Sequence, residues 1–60
     1  MFNHYPDIMS VLEVAEALNI GKNRVYELLE NKSLKGFRIG RVWKIPQESI
    51  EEFVRSQSHL

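Results

Sequence analysis

Between Ile20 and Ile45 the spacing of apolar side chains changes period, and few small folds accommodate such a change. Val25, Leu28 and Leu29 stand at i, i+3 and i+4, the buried stripe of a helix expected over about Lys22–Glu30. From Phe37 the period is two, the signature of a strand. Gly40 and Arg41 interrupt the alternation and predict a hairpin. The chain has 60 residues, enough for one domain, and at that size only about 60% of the unfolded chain's surface is buried. It has no cysteine, so no disulfide or thiolate metal site supports the fold. Helix, hairpin and flanking segments must therefore share one marginal core.

The flanks supply two more helices. Ser10 and Glu13 have the spacing of a capping box, and Met9 and Val14 that of a hydrophobic staple. Val11, Val14, Ala15 and Leu18 then form one apolar face of a first helix that stops near Leu18. Asn19 tolerates the left-handed conformation found at helix ends, Ile20 is expected to plug the core, and Gly21 is expected to be the N-cap of the second helix. Asn31–Ser33 ends that helix, and Leu34 is another expected core plug. In the hairpin, a three-residue loop Gly40-Arg41-Val42 places Phe37, Ile39, Trp43 and Ile45 on one face. A two-residue loop pairs Ile39 with Val42 and scatters them, so the longer loop is preferred. Pro46 suits a helix start, and Ile50, Phe53 and Val54 predict a short third helix ending near Arg55. Residues 1–8 read as a loose lead-in and 56–60 as a frayed end, leaving a core of about 8–55.

The charge is sorted along the chain. Ile20–Ile45 holds seven of the eight basic residues against Glu27 and Glu30, a local charge of +5 in a chain that is formally neutral. Residues 1–19 carry −3 and residues 46–60 carry −2. A docking polyanion feels the local field, not the net charge. Two helices joined by a tight turn suit a helix-turn-helix, whose second helix offers its N-terminal side chains to base edges in the major groove. Here those are Lys22, Asn23, Arg24 and Tyr26. Arginine or lysine pairs with guanine and asparagine with adenine. Arg38 and Arg41 flank Gly40 at a narrow cationic tip suited to a minor groove, and Lys35 and Lys44 are placed behind it for phosphates. A basic outer face alone is more often merely solvated. The clustering on two successive elements favours a site. Tyr26 reads equally as packing, and Trp43 as core.

Other classes find little support. His4 and His59 lie near opposite ends without further ligands at suitable spacing, so no metal or other cofactor is expected. Adjacent Glu51 and Glu52 point apart on a helix, and no nucleophile–base pair or phosphate loop appears, so no catalysis is expected. The chain lacks a run of about 18 apolar residues and an apolar stretch near Met1, so neither a membrane span nor a signal peptide is expected. A cytoplasmic location, with no membrane contact and no small-molecule ligand, follows as an expectation.

The run SVLEVAEALNIGKNRVYELL, then FRIGRVWKIP, then SIEEFV, resembles the excisionase-type DNA-binding domain, a small winged helix-turn-helix relative of the MerR-type domain. The resemblance covers about residues 8–55. It implies a mostly α fold with three short helices and a two-stranded wing between the second and third. It implies DNA contacts from Lys22, Asn23, Arg24, Tyr26, Arg38 and Arg41. It further implies either a phage or transposon excisionase, acting beside an integrase or recombinase, or a small bacterial transcription regulator. Gly21 stands where the family usually has serine or threonine, and Asn19 where it usually has glycine. The long coiled coil and effector domain of full MerR regulators are not in this sequence.

The leading expectation is thus sequence-specific binding of double-stranded DNA, the recognition helix in the major groove and the wing on the backbone or adjacent minor groove. One small module reads a short site, so cooperative binding of further copies is expected. A second reading stands beside it: a protein-interaction module with a degenerate helix-turn-helix that does not bind DNA, its acidic third helix (Glu48, Glu51, Glu52) meeting a basic partner.

Overall fold

The computed structural model describes residues 4–58. In chain order it contains strand β1 (Ile8–Met9), helix α1 (Val11–Leu18), helix α2 (Lys22–Glu30), strands β2 (Phe37–Ile39) and β3 (Val42–Pro46), and helix α3 (Gln47–Ser58). The strands form an antiparallel sheet in the order β1-β3-β2. Three helices with a β2–β3 wing between α2 and α3 make a winged helix-turn-helix.

α1 starts where its side chains dictate. The Glu13 N–H donates to Ser10 Oγ at 3.2 Å, and the Ser10 N–H donates to Glu13 Oε1 at 2.9 Å, closing the capping box. The helix ends at Asn19, whose φ of 56° and ψ of 47° are left-handed. The N–H groups of Asn19 and Ile20 turn back to the carbonyls of Glu16 and Ala15. α2 begins three residues later on Gly21, which supplies extended backbone but no side-chain cap.

Val14, Val25, Leu28, Leu29, Leu34, Ile45 and Ile50 are buried together, joined by Met9, Val11 and Ala15. Both α1 and α3 pack on β3. Ile20 is half-buried at the rim of this core, while Leu34 lies inside it.

Three expectations need correction. The lead-in is pinned rather than loose over its described part. Ile8 and Met9 pair with Pro46 and Ile45, the Gln47 N–H donates to the Asp7 carbonyl at 2.8 Å, and the Gln47 side-chain amide reaches the carbonyls of Tyr5 and Pro6 at 3.2 Å each. Tyr5 also donates its hydroxyl to Glu16 Oε1 at 2.8 Å, which holds the phenol above its ordinary pKa. A two-residue strand leaves no periodic signal, yet it covers an edge of β3 whose backbone groups need partners. At the other end, α3 continues to Ser58 instead of stopping near Arg55. Gln57 keeps the i+7 spacing from Ile50 and lines the same groove as Phe53 and Val54, though it is polar and so invisible to an apolar pattern. Met1–Asn3 of the lead-in and His59–Leu60 of the expected frayed end lie outside the described residues.

The third correction is the hairpin. Its register pairs Ile39 with Val42, Arg38 with Trp43 and Phe37 with Lys44, so the loop is the two-residue Gly40-Arg41 turn. Gly40 has φ +64° and Arg41 is not left-handed, the pattern of a type II′ turn, whose twist matches the strands it joins. Turn geometry outweighed hydrophobic pattern. Phe37, Ile39 and Val42 consequently share the outward face and are 47%, 63% and 51% exposed, while Ile45 and half-buried Trp43 point to the core side.

Candidate nucleic-acid interface

The sequence-predicted site residues divide by flank rather than forming one patch. At about 100° per residue, the buried stripe Val25–Leu28–Leu29 leaves Asn23, Glu27 and Glu30 along the crest of α2. Lys22 and Tyr26 fall on the flank next to Leu29, and Arg24 falls on the opposite flank. The surroundings agree. Tyr26 lines a concavity of about 230 Å³ together with Ser10, Leu12, Arg41, Val42 and Trp43. Arg24 lines a different groove with Leu18, Ile20, Leu28 and Phe53.

Arg24 is also engaged. Its guanidinium pairs with the Glu27 carboxylate one turn along α2, both side chains about 60% exposed. Exposed pairs of this kind are worth at most about 1 kcal/mol, so a phosphate or a guanine edge can displace Glu27. The helix start is open to an acceptor: Gly21 provides no capping oxygen, and no acidic residue sits in the first turn of α2. Three cationic or amide side chains, Lys22, Asn23 and Arg24, therefore surround a positive dipole end.

On the wing, Arg41 occupies the second turn position, beside the concavity that Tyr26 also lines. Arg38 does not point away from the protein body. It is the cross-strand partner of Trp43, and its guanidinium lies over the indole with Cζ 5.6 Å from the ring centroid. Such stacking contributes about 0.5–1 kcal/mol at an exposed site and fixes where the charge sits. Lys44 stands opposite Phe37 on the outward face, half-buried. Lys35 is drawn the other way: its Nζ is 3.4 Å from Glu52 Oε1 on α3, an exposed pair away from the tip.

Of these residues, Tyr26 and Arg41 line one concavity. Lys22 stands on the same flank of α2 as Tyr26, Asn23 on the crest, and Arg38 over Trp43, with Arg24, Lys35 and Lys44 at other bearings. Sequence reasoning missed Leu12, which is 66% exposed on the wall formed by α1. The available signal was a large apolar residue off the apolar face of its helix. It also missed Glu27, whose i+3 spacing from Arg24 announces the ion pair. Among the described residues, no three His, Cys, Asp or Glu side chains come together, and no helix is long and apolar enough to cross a membrane. His59, half of the weighed histidine pair, lies outside the described residues.

Comparison with known proteins matches residues 8–58 to a family model described as a helix-turn-helix domain. An excisionase of Streptomyces ambofaciens is 27% identical over 52 residues, covering 87% of this chain and 84% of its own length. A probable excisionase of Saccharopolyspora erythraea is 30% identical over 46 residues, covering 77% of this chain. The chain spans only 47% of the length of that second relative. No solved structure matches.

Proposed function

This chain belongs to the helix-turn-helix domain family, and on that premise we propose that it binds double-stranded DNA sequence-specifically and acts as an excisionase. The observation that carries the reading is the meeting of α2 and the wing tip at one concavity, lined by Tyr26 and Arg41, with the uncapped basic start of α2 one turn before Tyr26. The names of the two relatives support the excisionase role over the alternative of a small transcription regulator.

In this reading α2 enters the major groove with Lys22 and Asn23 at its leading end. Arg24 leaves Glu27 to meet a base edge on the far flank. Arg41 presses on the backbone or the adjacent minor groove, and Trp43 keeps Arg38 in place behind it. Lys44 and Lys35 meet phosphates, Lys35 only after giving up Glu52. The work is architectural, placing or bending DNA for an integrase or recombinase, with further copies binding cooperatively at neighbouring sites. No step in it requires a cofactor.

The test is a base-substitution scan by gel shift. Arg24→Ala is expected to relax preference at one base pair, by about 1–3 kcal/mol of discrimination, whereas Lys44→Ala weakens all duplexes alike. The reverse pattern overturns these roles. A second reading, a protein-interaction module without DNA affinity, draws support from the exposed Phe37, Ile39 and Val42. Absence of any shift at low salt would favour it.

A further inference from the structure

The concavity between α1, α2 and the wing carries more apolar surface than a phosphate-facing wall needs. Leu12 is 66% exposed, Val42 51% and Tyr26 42%, and half-buried Trp43 floors the space between them. A single exposed leucine requires no explanation. Three exposed apolar side chains from three separate elements, gathered around one concavity beside a cationic tip, do require one. Leu12 has no part in the core: its neighbours Val11 and Val14 are buried while it faces out from the first turn of α1.

Phosphate oxygens gain nothing from such a lining. The major groove of B-DNA, however, has one apolar feature, the 5-methyl group of thymine, and apolar side chains read it. Charge complementarity brings the same groove there, because Arg41 stands at the wing side of the concavity and Lys22 on the same flank of α2 as Tyr26. We propose that Leu12 and Tyr26, with Val42 closing the rim, form a thymine-methyl recognition site. The inference rests on the DNA-binding reading and deepens it. It makes α1 a reader of sequence in addition to α2, and it assigns Tyr26 to apolar contact through its ring.

The test starts from a duplex selected from a random library by the wild-type chain. Each thymine in turn is replaced by deoxyuridine, which removes the methyl and leaves base pairing intact. At one or two positions the wild type is expected to bind about fourfold more weakly, the equivalent of about 0.8 kcal/mol for one buried methyl-sized group. Leu12→Ala should lose that discrimination at one of these positions while its circular dichroism melt stays near wild type. Tyr26→Phe should keep it, because the ring remains. Indifference to uracil at every position overturns the site, as does undiminished discrimination in Leu12→Ala or its loss in Tyr26→Phe. A selection that yields no duplex at all overturns the DNA-binding reading as well, so the two failures are distinct.

Discussion

Gly21 and Gly36 both lack a side chain, with opposite consequences. A Cβ at Gly21 would meet nothing within 4 Å, and the extended backbone there suits serine or threonine, so the glycine leaves the start of α2 uncapped without any steric demand for it. A Cβ at Gly36 would lie 3.0 Å from Leu29 Cδ2, 3.2 Å from Ile45 Cγ1 and 3.2 Å from the Lys44 carbonyl. The Leu29 methyl can turn aside, but the carbonyl belongs to β3 and cannot move without the hairpin. Gly36→Ala is therefore expected to destabilise by about 1–3 kcal/mol, read from urea denaturation, whereas an unchanged midpoint would show that the wing shifts freely over α2. Lys32 has φ +66°, the left-handed turn that follows α2.

Among the elements, the wing departs most from its sequence pattern. Its two-residue turn turns Phe37, Ile39 and Val42 outward and stacks Arg38 on Trp43. The register depends on Gly40, whose φ of +64° strains any L side chain although open space surrounds it. Gly40→Ala should cost about 1 kcal/mol of stability and weaken DNA binding through misplacement of Arg41, even though no contact is deleted. A variant with wild-type affinity would mean that the tip does not touch DNA. α3 is the counterpart: Glu48 and Glu51 line a concavity with Asp7 and Ile8, and Glu52 holds Lys35 at 3.4 Å, so the segment that lowers net charge also engages one of the cations.

At the scale of the whole molecule, neutrality conceals a divided field. Lys22, Arg38, Arg41 and Lys44 can meet phosphates without breaking an ion pair to another element, and Lys35 can join them only by leaving Glu52. Four or five phosphate contacts predict that log K falls against log salt concentration with a slope between about −3.6 and −4.5. Fluorescence anisotropy on a short duplex measures it directly. A slope near zero would remove phosphate binding from the account, and one much steeper would require more than one copy per site.

The division between sequence and tertiary structure follows the range of the forces involved. Capping box, helix periods, the left-handed Asn19 and the basic segment Ile20–Ile45 are local, each set by residues within a turn or two, and the sequence by itself determined them. It also determined three helices with a hairpin between the second and third, and the resemblance of its motifs to the excisionase-type domain implied the winged helix-turn-helix. Strand β1, the hairpin register and the meeting of Leu12, Tyr26 and Arg41 were decided only by the tertiary structure. Each depends on pairing or packing between distant residues, where a two-residue turn or a two-residue strand outweighs an alternating apolar pattern. The charges were legible as a cluster. Which of them share one surface was settled by the packing of α1, α2 and the wing around a common core.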